Sequence, residues 1–535
     1  LHLGIGRQLL RRATEAELEA RLFDVVDQLD LGEALIADPA ERLQLAQLNL
    51  AAGRKAKASS AYQAAFDYLH TGRRLLPAEA WTSQAALAWA LHRELAESAY
   101  LAGRHAEAER MVEAALAHAP SKIARAELYS LRVLAATVAG DWGGALRWGR
   151  EGLDVFGHAW PLEGLAQAND AEAAAVMQNV GARRIGDLVG EPEVEDEEIR
   201  ASMHLLSILG PPAYFSGSEV LTFLVTRSTN LSLRHGPSVY SAYAYVFYGA
   251  LHNARSGQYD VGYEFGKLAL ALAQRFGNRA EESRTLEVFG LVVHSWCAPV
   301  RASLPLMQEG HRAGVESGEL AYAAFNLCGI LINGLPAGLP LDGLLDDAAI
   351  AIDFATRHQN RTAIEISLPF RQFGRALTGR TRSLGSFDDA DFDQARFIHE
   401  ASGNQTAMGQ FWVARLQAAL IAGDLETARH AAHKGEDCIQ AGILGMVTSS
   451  EHSFYTALML AARHAAAPDS ERDALASQLR SRLAQLVTWA GYCPENFLHK
   501  RKLVEAELER IAGAQWSALT LYEEAIAAAQ RNGFV

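Results

Sequence analysis

The chain has 535 residues, more than one compact domain usually holds, so it must divide into domains or extend as an array of repeats. Hydrophobic residues make up 49% and charged residues 21%, which is typical of a folded chain and not of a disordered one. Its 49 basic and 63 acidic residues give a net charge of −14, which argues against a broad nucleic-acid surface and against docking on an anionic membrane.

The chain starts at Leu1 inside a predicted helix over residues 1–10, and no signal segment follows. We therefore expect it to be a fragment of a longer protein. The four cysteines are far apart and form no CxxC pair, which favours reduced thiols over a disulfide framework or a zinc site. The chain contains no uninterrupted apolar run of the length that a membrane span needs. These features predict a cytoplasmic protein that makes no membrane contact.

The segment 95–120 reads LAESAYLAGRHAEAERMVEAALAHAP and matches the tetratricopeptide pattern. Ala108 and Ala115 are small enough to let two antiparallel helices approach closely. Gly103 stands where the turn requires a conformation that other residues adopt with difficulty. Pro120 is expected to end the second helix. This segment therefore predicts a helical hairpin.

The same order of a glycine followed by small residues down a helix recurs along the chain. The further turns are predicted at Gly140, Gly257, Gly423 and Gly513, and more weakly at Gly53. A single hairpin of this kind cannot bury its apolar face alone, whereas stacked hairpins share a continuous core. We predict an all-α fold, a tetratricopeptide-like α-solenoid of stacked antiparallel helical hairpins, with roughly a dozen hairpins at about 34 residues each.

Two stretches interrupt this rhythm. Residues 186–200 contain GEPEVEDEE, whose acidic side chains are expected to lie at the N-terminus of the next helix, where the helix dipole favours them. Residues 378–393 form a polar stretch without apolar periodicity, which predicts a loop that separates two stacks of repeats.

No motif with a chemical mechanism is complete. Gly4-Ile5-Gly6 lacks the third glycine and the preceding strand of a dinucleotide loop, and the phosphate-loop spacing is absent. His430 and His433 lie three residues apart on a predicted helix, but a defined set of metal ligands is missing, so a solvated helix face is the better interpretation. We predict that the chain is not an enzyme and has no catalytic residues, no metal site and no cofactor.

The centre of the chain is rich in aromatic residues: residues 211–330 hold 16 of the 44. Such side chains suit a peptide or small-ligand groove on the concave side of a superhelix, because they offer large contact areas at low entropic cost. The alternative is that they fill the interior between hairpins, as the spacing of Tyr243 and Phe247 on one helix face indicates. The candidate groove residues are Tyr240, Tyr243, His294, Trp296, Arg301, Tyr322 and Asn326.

Several stretches resemble the region that follows the AAA-type ATPase domain in bacterial multidomain signalling kinases. They include LHLGIGRQLL at the start and STNLSLRHGPSVYSAYAYVFYG, and they lie at 1–10, 22–32, 41–69, 228–249, 262–279, 294–326 and 518–535. In that family a serine/threonine kinase-like domain and the ATPase precede a tetratricopeptide-like region, and GAF and histidine kinase domains follow it. Together with the polar stretch at 378–393, the resemblance predicts three parts: the helical end of an ATPase-associated segment at 1–40, a first stack of repeats at 41–377 and a second stack at 394–535.

The resemblance implies a non-catalytic scaffold or sensor that couples an ATPase module to kinase output domains. None of the family's catalytic residues falls on this chain. The expected partners are neighbouring domains of the same polypeptide, with a protein, a peptide or a small ligand also possible, and no nucleic acid. Two alternatives stay open: a stand-alone tetratricopeptide adaptor or the sensor region of an ATP-dependent transcription regulator, and an enzyme built on stacked helices.

Overall fold

The computed structural model describes residues 1–59, 61–217, 219–383 and 385–534. Every regular element in these ranges is helical, which confirms the all-α fold class. The earlier α-helices are α1 (His2–Arg12), α2 (Glu15–Ala20), α3 (Leu22–Asp30), α4 (Pro39–Ala58), α5 (Tyr62–Arg74), α6 (Ala80–Ser83), α7 (Ala85–Leu101), α8 (His105–Leu116), α9 (Lys122–Val138), α10 (Trp142–Asp154), α11 (Leu165–Val180), α12 (Glu197–Ile208), α13 (Gly210–Phe215) and α14 (Val220–His235).

The later α-helices are α15 (Ser241–Ser256), α16 (Tyr259–Phe276), α17 (Arg279–Val288), α18 (Ser303–Ser317), α19 (Leu320–Gly334), α20 (Leu341–Arg357), α21 (Arg361–Leu377), α22 (Gln394–Glu400), α23 (Gln405–Ile421), α24 (Leu425–Cys438), α25 (Val447–Ala466), α26 (Asp469–Tyr492), α27 (Pro494–Ile511) and α28 (Gln515–Arg531). Helices that follow one another pack in pairs, among them α4 with α5, α7 with α8, α15 with α16, α23 with α24, and α27 with α28.

The predicted turn glycines explain how these pairs form. Gly103, Gly140, Gly257, Gly423 and Gly513 all have positive φ, from 67° to 79°, a region that a residue with a Cβ enters only with strain. All five stand between paired helices, so the predicted turns are confirmed. The small residues that follow are buried against the partner helix, as the complete burial of alanines 108 and 115 in α8 illustrates.

The turn predicted at Gly53 is wrong. This glycine lies inside α4, and a Cβ built on it would come within 2.4 Å of Cγ of Leu69 in α5. Gly53 therefore serves the close approach of two packed helices. A glycine followed by small residues does not distinguish a turn from a helix contact, because both need the absence of a side chain.

The chain forms two compact units, one of residues 1–165 and 196–224 and one of residues 166–195 and 225–535. This division differs from the predicted three parts. The stretch 1–40 is packed into the first unit, since Leu3 and Leu29 belong to the same apolar cluster as the residues of α4, α5 and α7.

Residues 378–383 and 385–393 lie within the second unit and contribute to its core, and the separation of two stacks of repeats at this loop stays a prediction. Phe387 is fully buried, and Phe392 is buried close by in the same cluster. Nε2 of Gln372 in α21 donates hydrogen bonds of 2.7 Å to the Phe387 carbonyl and to the carboxylate of Asp389. The composition of this loop is mostly polar, but its two buried phenylalanines pack it against α21 and α23.

The acidic stretch 186–200 behaves as predicted at residues 196–198, whereas Glu191 and Glu193 pair with basic residues elsewhere in the second unit. It contains a short 3-10 helix, Ile185–Gly190, and α12 begins at Glu197. Asp196 caps this helix: its carboxylate accepts hydrogen bonds from the backbone N–H groups of Glu198 (2.8 Å) and Ile199 (3.2 Å). The acidic residues in the first turn of α12 then lie at the positive end of the helix dipole.

None of the described helices combines the length and the apolar character that crossing a bilayer demands. The four cysteines are all free thiols.

Candidate functional site

Three of the predicted groove residues lie on an irregular connection between α17 and α18, residues 289–302. The α-helix gives way to a π-helical turn, Phe289–Val293, and then to two short 3-10 helices, His294–Trp296 and Val300–Ala302. Pro299 has no backbone N–H to donate to a regular helix at this point. Such departures from α-helical geometry recur at functional sites of proteins, and they leave backbone groups that need other partners.

Trp296 is the centre of an aromatic cluster that joins distant parts of the second unit. It is 3% exposed, and its Nε1 donates a 2.7 Å hydrogen bond to the carbonyl of Gly445. Its ring stacks on Tyr259 at 4.9 Å and on Phe497 at 5.7 Å. Nε1 of Trp489 in turn donates to the hydroxyl of Tyr259, 230 positions away. We call Tyr259, Trp296, Trp489 and Phe497 the aromatic junction.

The side chain of Asn496, in the first turn of α27, supplies the partners that the 289–302 connection lacks. Its Oδ1 accepts a 2.9 Å hydrogen bond from the N–H of Val300. Its Nδ2 donates to the carbonyls of Ser295 (2.7 Å) and Ala298 (2.9 Å). Asn496 is 3% exposed. One amide side chain thus holds three backbone groups of a segment about two hundred positions earlier.

Arg301 adds a second link near the surface. Its exposed guanidinium donates hydrogen bonds to the carbonyls of Ala337 (2.8 Å) and Gly533 (3.0 Å). Phe534 packs on the apolar cluster that contains Val300 and Ala337. Residues 294–301 therefore contact α19, α26, α27 and the segment after α28, which lie on very different parts of the chain.

His294 is buried among rings rather than among polar groups. Its imidazole lies 5.4 Å from the ring of Phe289 and 6.1 Å from that of Tyr263. Neither ring nitrogen makes a hydrogen bond of normal geometry with a described residue. Burial lowers the pKa of His294, because the charged form is poorly solvated there. The neutral imidazole is thus the form that this environment stabilises.

Three other candidates form a second, separate network between α15, α17 and α19. The hydroxyls of Tyr243 and Tyr322 are hydrogen-bonded at 2.6 Å, and their rings are nearly perpendicular. The guanidinium of Arg284 lies over the ring of Tyr322 and pairs with Glu281 (3.2 Å) and Glu319 (2.6 Å). Burial is the main cause that raises the pKa of both tyrosines, so their hydroxyls stay protonated.

Asn326 extends this network to α17. Its side chain is fully buried, and Nδ2 donates to the carbonyls of Tyr322 (2.9 Å) and Ser283 (3.2 Å). A Cβ at Gly310 would come within 2.2 Å of its Oδ1, so the glycine makes room for it. Glu287 lies in the same region and makes no ion pair with any described residue, and burial raises its pKa to about 8.

The structure therefore separates the seven predicted residues. His294, Trp296 and Arg301 belong to the 289–302 connection, whereas Tyr243, Tyr322 and Asn326 belong to the tyrosine network; Tyr240 is half-buried at the start of α15. Five of the seven are buried, which favours the packing alternative for those five; ligand binding at these positions stays a prediction. In the part of the chain that the structure describes, no three His, Cys, Asp or Glu side chains are grouped as metal ligands.

Sequence reasoning missed the partners that give these residues their surroundings. Tyr259, Trp489 and Asn496 complete the junction, and Glu281 and Arg284 complete the tyrosine network. The aromatic count over residues 211–330 already includes Tyr259, but it ends well before Trp489. The contact of Asn496 with residues 295–300 has no local signal, because the two segments meet only in the folded chain.

Comparison with known proteins gives a distant similarity to a signalling kinase, and no family model matches the chain. The chain is 21% identical over 421 residues to hybrid signal transduction histidine kinase G of Dictyostelium discoideum. The match covers 71% of this chain and 12% of that protein's length. The chain is thus similar to a small part of a much longer signalling kinase.

Proposed function

We propose that this chain is a non-catalytic helical-repeat segment that couples an ATPase module to kinase output domains in a signal-transduction protein. The observation that carries the proposal is the similarity over 71% of the chain to a part, 12% in length, of a hybrid signal transduction histidine kinase. A region of that size in a longer kinase suits a linking or sensing role. The paired helices and their glycine turns support a tetratricopeptide-like superhelix as its architecture.

The chemistry of the buried groups supports a non-catalytic role. Burial raises the pKa of Cys297 to about 11 and that of Cys328 to about 12, so neither thiol is poised as a nucleophile. The buried hydroxyls of Tyr243 and Tyr322 are hydrogen-bonded to each other. In the tyrosine network, Arg284 is engaged in ion pairs with Glu281 and Glu319, which is a structural use of these charges.

The 289–302 connection is the part of the second unit best suited to transmit a change. A plain stack of hairpins would bring only neighbouring repeats into contact. Here Trp296 and Asn496 tie residues 294–301 to α26 and α27, about two hundred positions away. A displacement at α16 or α17 is thereby passed directly to α26 and α27. The partners on this proposal are neighbouring domains, with a peptide or small ligand as the further possibility.

The experiment has two arms. The purified chain is assayed for ATP hydrolysis and for autophosphorylation with radiolabelled ATP, and we expect background rates in both. The complete product of the gene is then assayed for autophosphorylation with Asn496 intact or replaced by Ala. We expect Asn496→Ala to alter the signal-dependent rate without abolishing the kinase. ATP hydrolysis or autophosphorylation by the isolated chain would contradict the proposal, and so would a complete gene product that has no kinase domain. A helix-turn-helix domain in the complete gene product would favour the transcription regulator.

A further inference from the structure

The outer face of α28 carries an apolar stripe that no described part of the chain covers. Trp516 is 85% exposed, Leu519 is 55% exposed and Ile526 is 52% exposed. Every other described α-helix has at most one large hydrophobic side chain exposed to a comparable degree. Single exposed hydrophobic residues are normal on protein surfaces, whereas a cluster of them on one element marks an interaction site.

The stripe has the spacing of a helix-pairing seam. Positions 516, 519, 523, 526 and 530 alternate steps of three and four residues, so they lie on one face of the helix, about 21 Å long. The opposite face is already used, because Ala518, Ala525 and Ala528 are buried and α28 packs chiefly against α27. The seam thus points away from the rest of the second unit and matches the width of one further helix.

The middle of the seam is charged. Glu523 is exposed and makes no hydrogen bond or ion pair with any described residue. Its neighbour Glu524 is different, since it pairs with Lys502 at 2.8 Å. A charged residue at a central seam position selects the partner by its charge, because an uncompensated carboxylate between two packed helices loses its hydration.

This charge disfavours two other occupants of the surface, a second copy of the chain and an anionic membrane. In a symmetric pairing of two copies about the middle of the seam, Glu523 would face Glu523 of the other copy, and the net charge of −14 adds to the repulsion. An anionic membrane is disfavoured for the same reason, because a helix that lies on such a surface is usually rich in Lys and Arg on its polar face.

We propose that the 516–530 face of α28 is a docking site for an amphipathic α-helix of a partner that carries a Lys or Arg in the middle of its own apolar stripe. Trp516, Leu519 and Ile526 supply the apolar contacts, with the indole as the main anchor, since tryptophans dominate binding energy at such interfaces. Glu523 pairs with the basic residue and fixes the register. This surface is independent of the coupling role, so the two proposals stand or fall separately.

The probe is a fluorescein-labelled peptide of about three heptads with Leu at the seam positions and a single Lys at the central one. Its partner probe has Glu in place of that Lys. Binding to the purified chain is measured by fluorescence anisotropy. We expect saturable micromolar binding of the Lys peptide and at least about tenfold weaker binding of the Glu peptide.

Variants of the chain identify the surface. Trp516→Ala should weaken binding of the Lys peptide by about 30-fold or more, since a hot-spot tryptophan contributes at least a factor of this size. Glu523→Lys should reverse the preference between the two peptides. Ile350→Ala is the matched control, because Ile350 is 55% exposed on α20, as Ile526 is 52% exposed on α28; it should leave binding unchanged. Circular dichroism confirms that each variant is folded.

Three outcomes would overturn the proposal. The first is no saturable binding of either peptide. The second is equal binding of the two peptides, or a preference that Glu523→Lys does not reverse. The third is a dimer in sedimentation velocity that Trp516→Ala dissociates, which would make a second copy the occupant.

Discussion

The sharpest test of the second unit is the substitution Asn496→Ala. In the native chain this side chain satisfies one N–H and two carbonyls of residues 295–300, and two of these three bonds are fully buried. A buried polar group that loses its partner costs about 1–3 kcal/mol. With two buried groups and one half-buried group affected, we expect the free energy of unfolding to fall by about 3 kcal/mol.

The assay combines urea unfolding with local hydrogen exchange. Circular dichroism follows the urea unfolding, because every regular element of the described residues is helical. Hydrogen–deuterium exchange of peptides that cover residues 294–302 reports the same loss locally, since the Val300 N–H is the donor that is released. We expect that amide to exchange much faster in the variant, while amides of α7 and α8 in the first unit keep their rates.

The matched control is Asn532→Ala. Asn532 is half-buried near the end of the chain, and its Nδ2 donates one hydrogen bond, to the carbonyl of Ala528 at 3.0 Å. Its removal should lower the free energy of unfolding by less than about 1 kcal/mol. If Asn496→Ala destabilised the chain no more than this control, and if exchange in 294–302 were unchanged, the account of Asn496 as the partner of the irregular connection would be refuted.

Three further predictions concern stability. Gly103→Ala should destabilise the first unit by about 1 kcal/mol, because the φ of 74° strains a residue with a Cβ. Gly4→Ala should stabilise it by about 0.5–1 kcal/mol, because Gly4 lies in α1 with open space around it. Shifts of the thermal unfolding midpoint in the same direction for both variants would contradict this. Trp296→Ala should lower the free energy of unfolding by about 3–5 kcal/mol, and Trp516→Ala by less than about 0.5 kcal/mol, because the first indole is 3% exposed and the second 85% exposed. Similar urea midpoints for the two variants would contradict this difference. Burial raises the folded-state pKa of Glu287 to about 8, so the fold favours the protonated form and loses stability as pH rises from the unfolded pKa, about 4.3, towards 8. Glu287→Gln should therefore flatten the decline in urea midpoint between pH 5 and pH 9. An unchanged slope would contradict this.

The secondary structure of the chain was largely predictable because its determinants are local. A glycine of positive φ followed by small residues is a pattern within a single hairpin, and five of the predicted turns are where the pattern placed them. The cap at Asp196 is local in the same way, since its carboxylate bonds to N–H groups two and three residues further on. Gly53 was misassigned because the deciding atom, Cγ of Leu69, lies on another helix.

The candidate site shows where prediction from the sequence stops. Aromatic enrichment singled out Trp296, Tyr243 and Tyr322, which do lie at notable places in the second unit. Their use could not be predicted, because an open groove and a packed junction both draw on large rings with a polar edge. The loop at 378–393 is a similar case: its composition is polar, but the burial of Phe387 against α21 and α23 positions it.

The sequence by itself determined that the chain is helical, where most of its helix pairs turn, and that its middle is rich in aromatic residues. Those properties depend on contacts within about 40 residues, which a repeat pattern records directly. Only the tertiary structure decided that Asn496 holds the backbone at 295–300, that Trp296 packs against α27, and that no described residue covers the α28 seam. These depend on which distant surfaces meet, and no spacing within one hairpin contains that information.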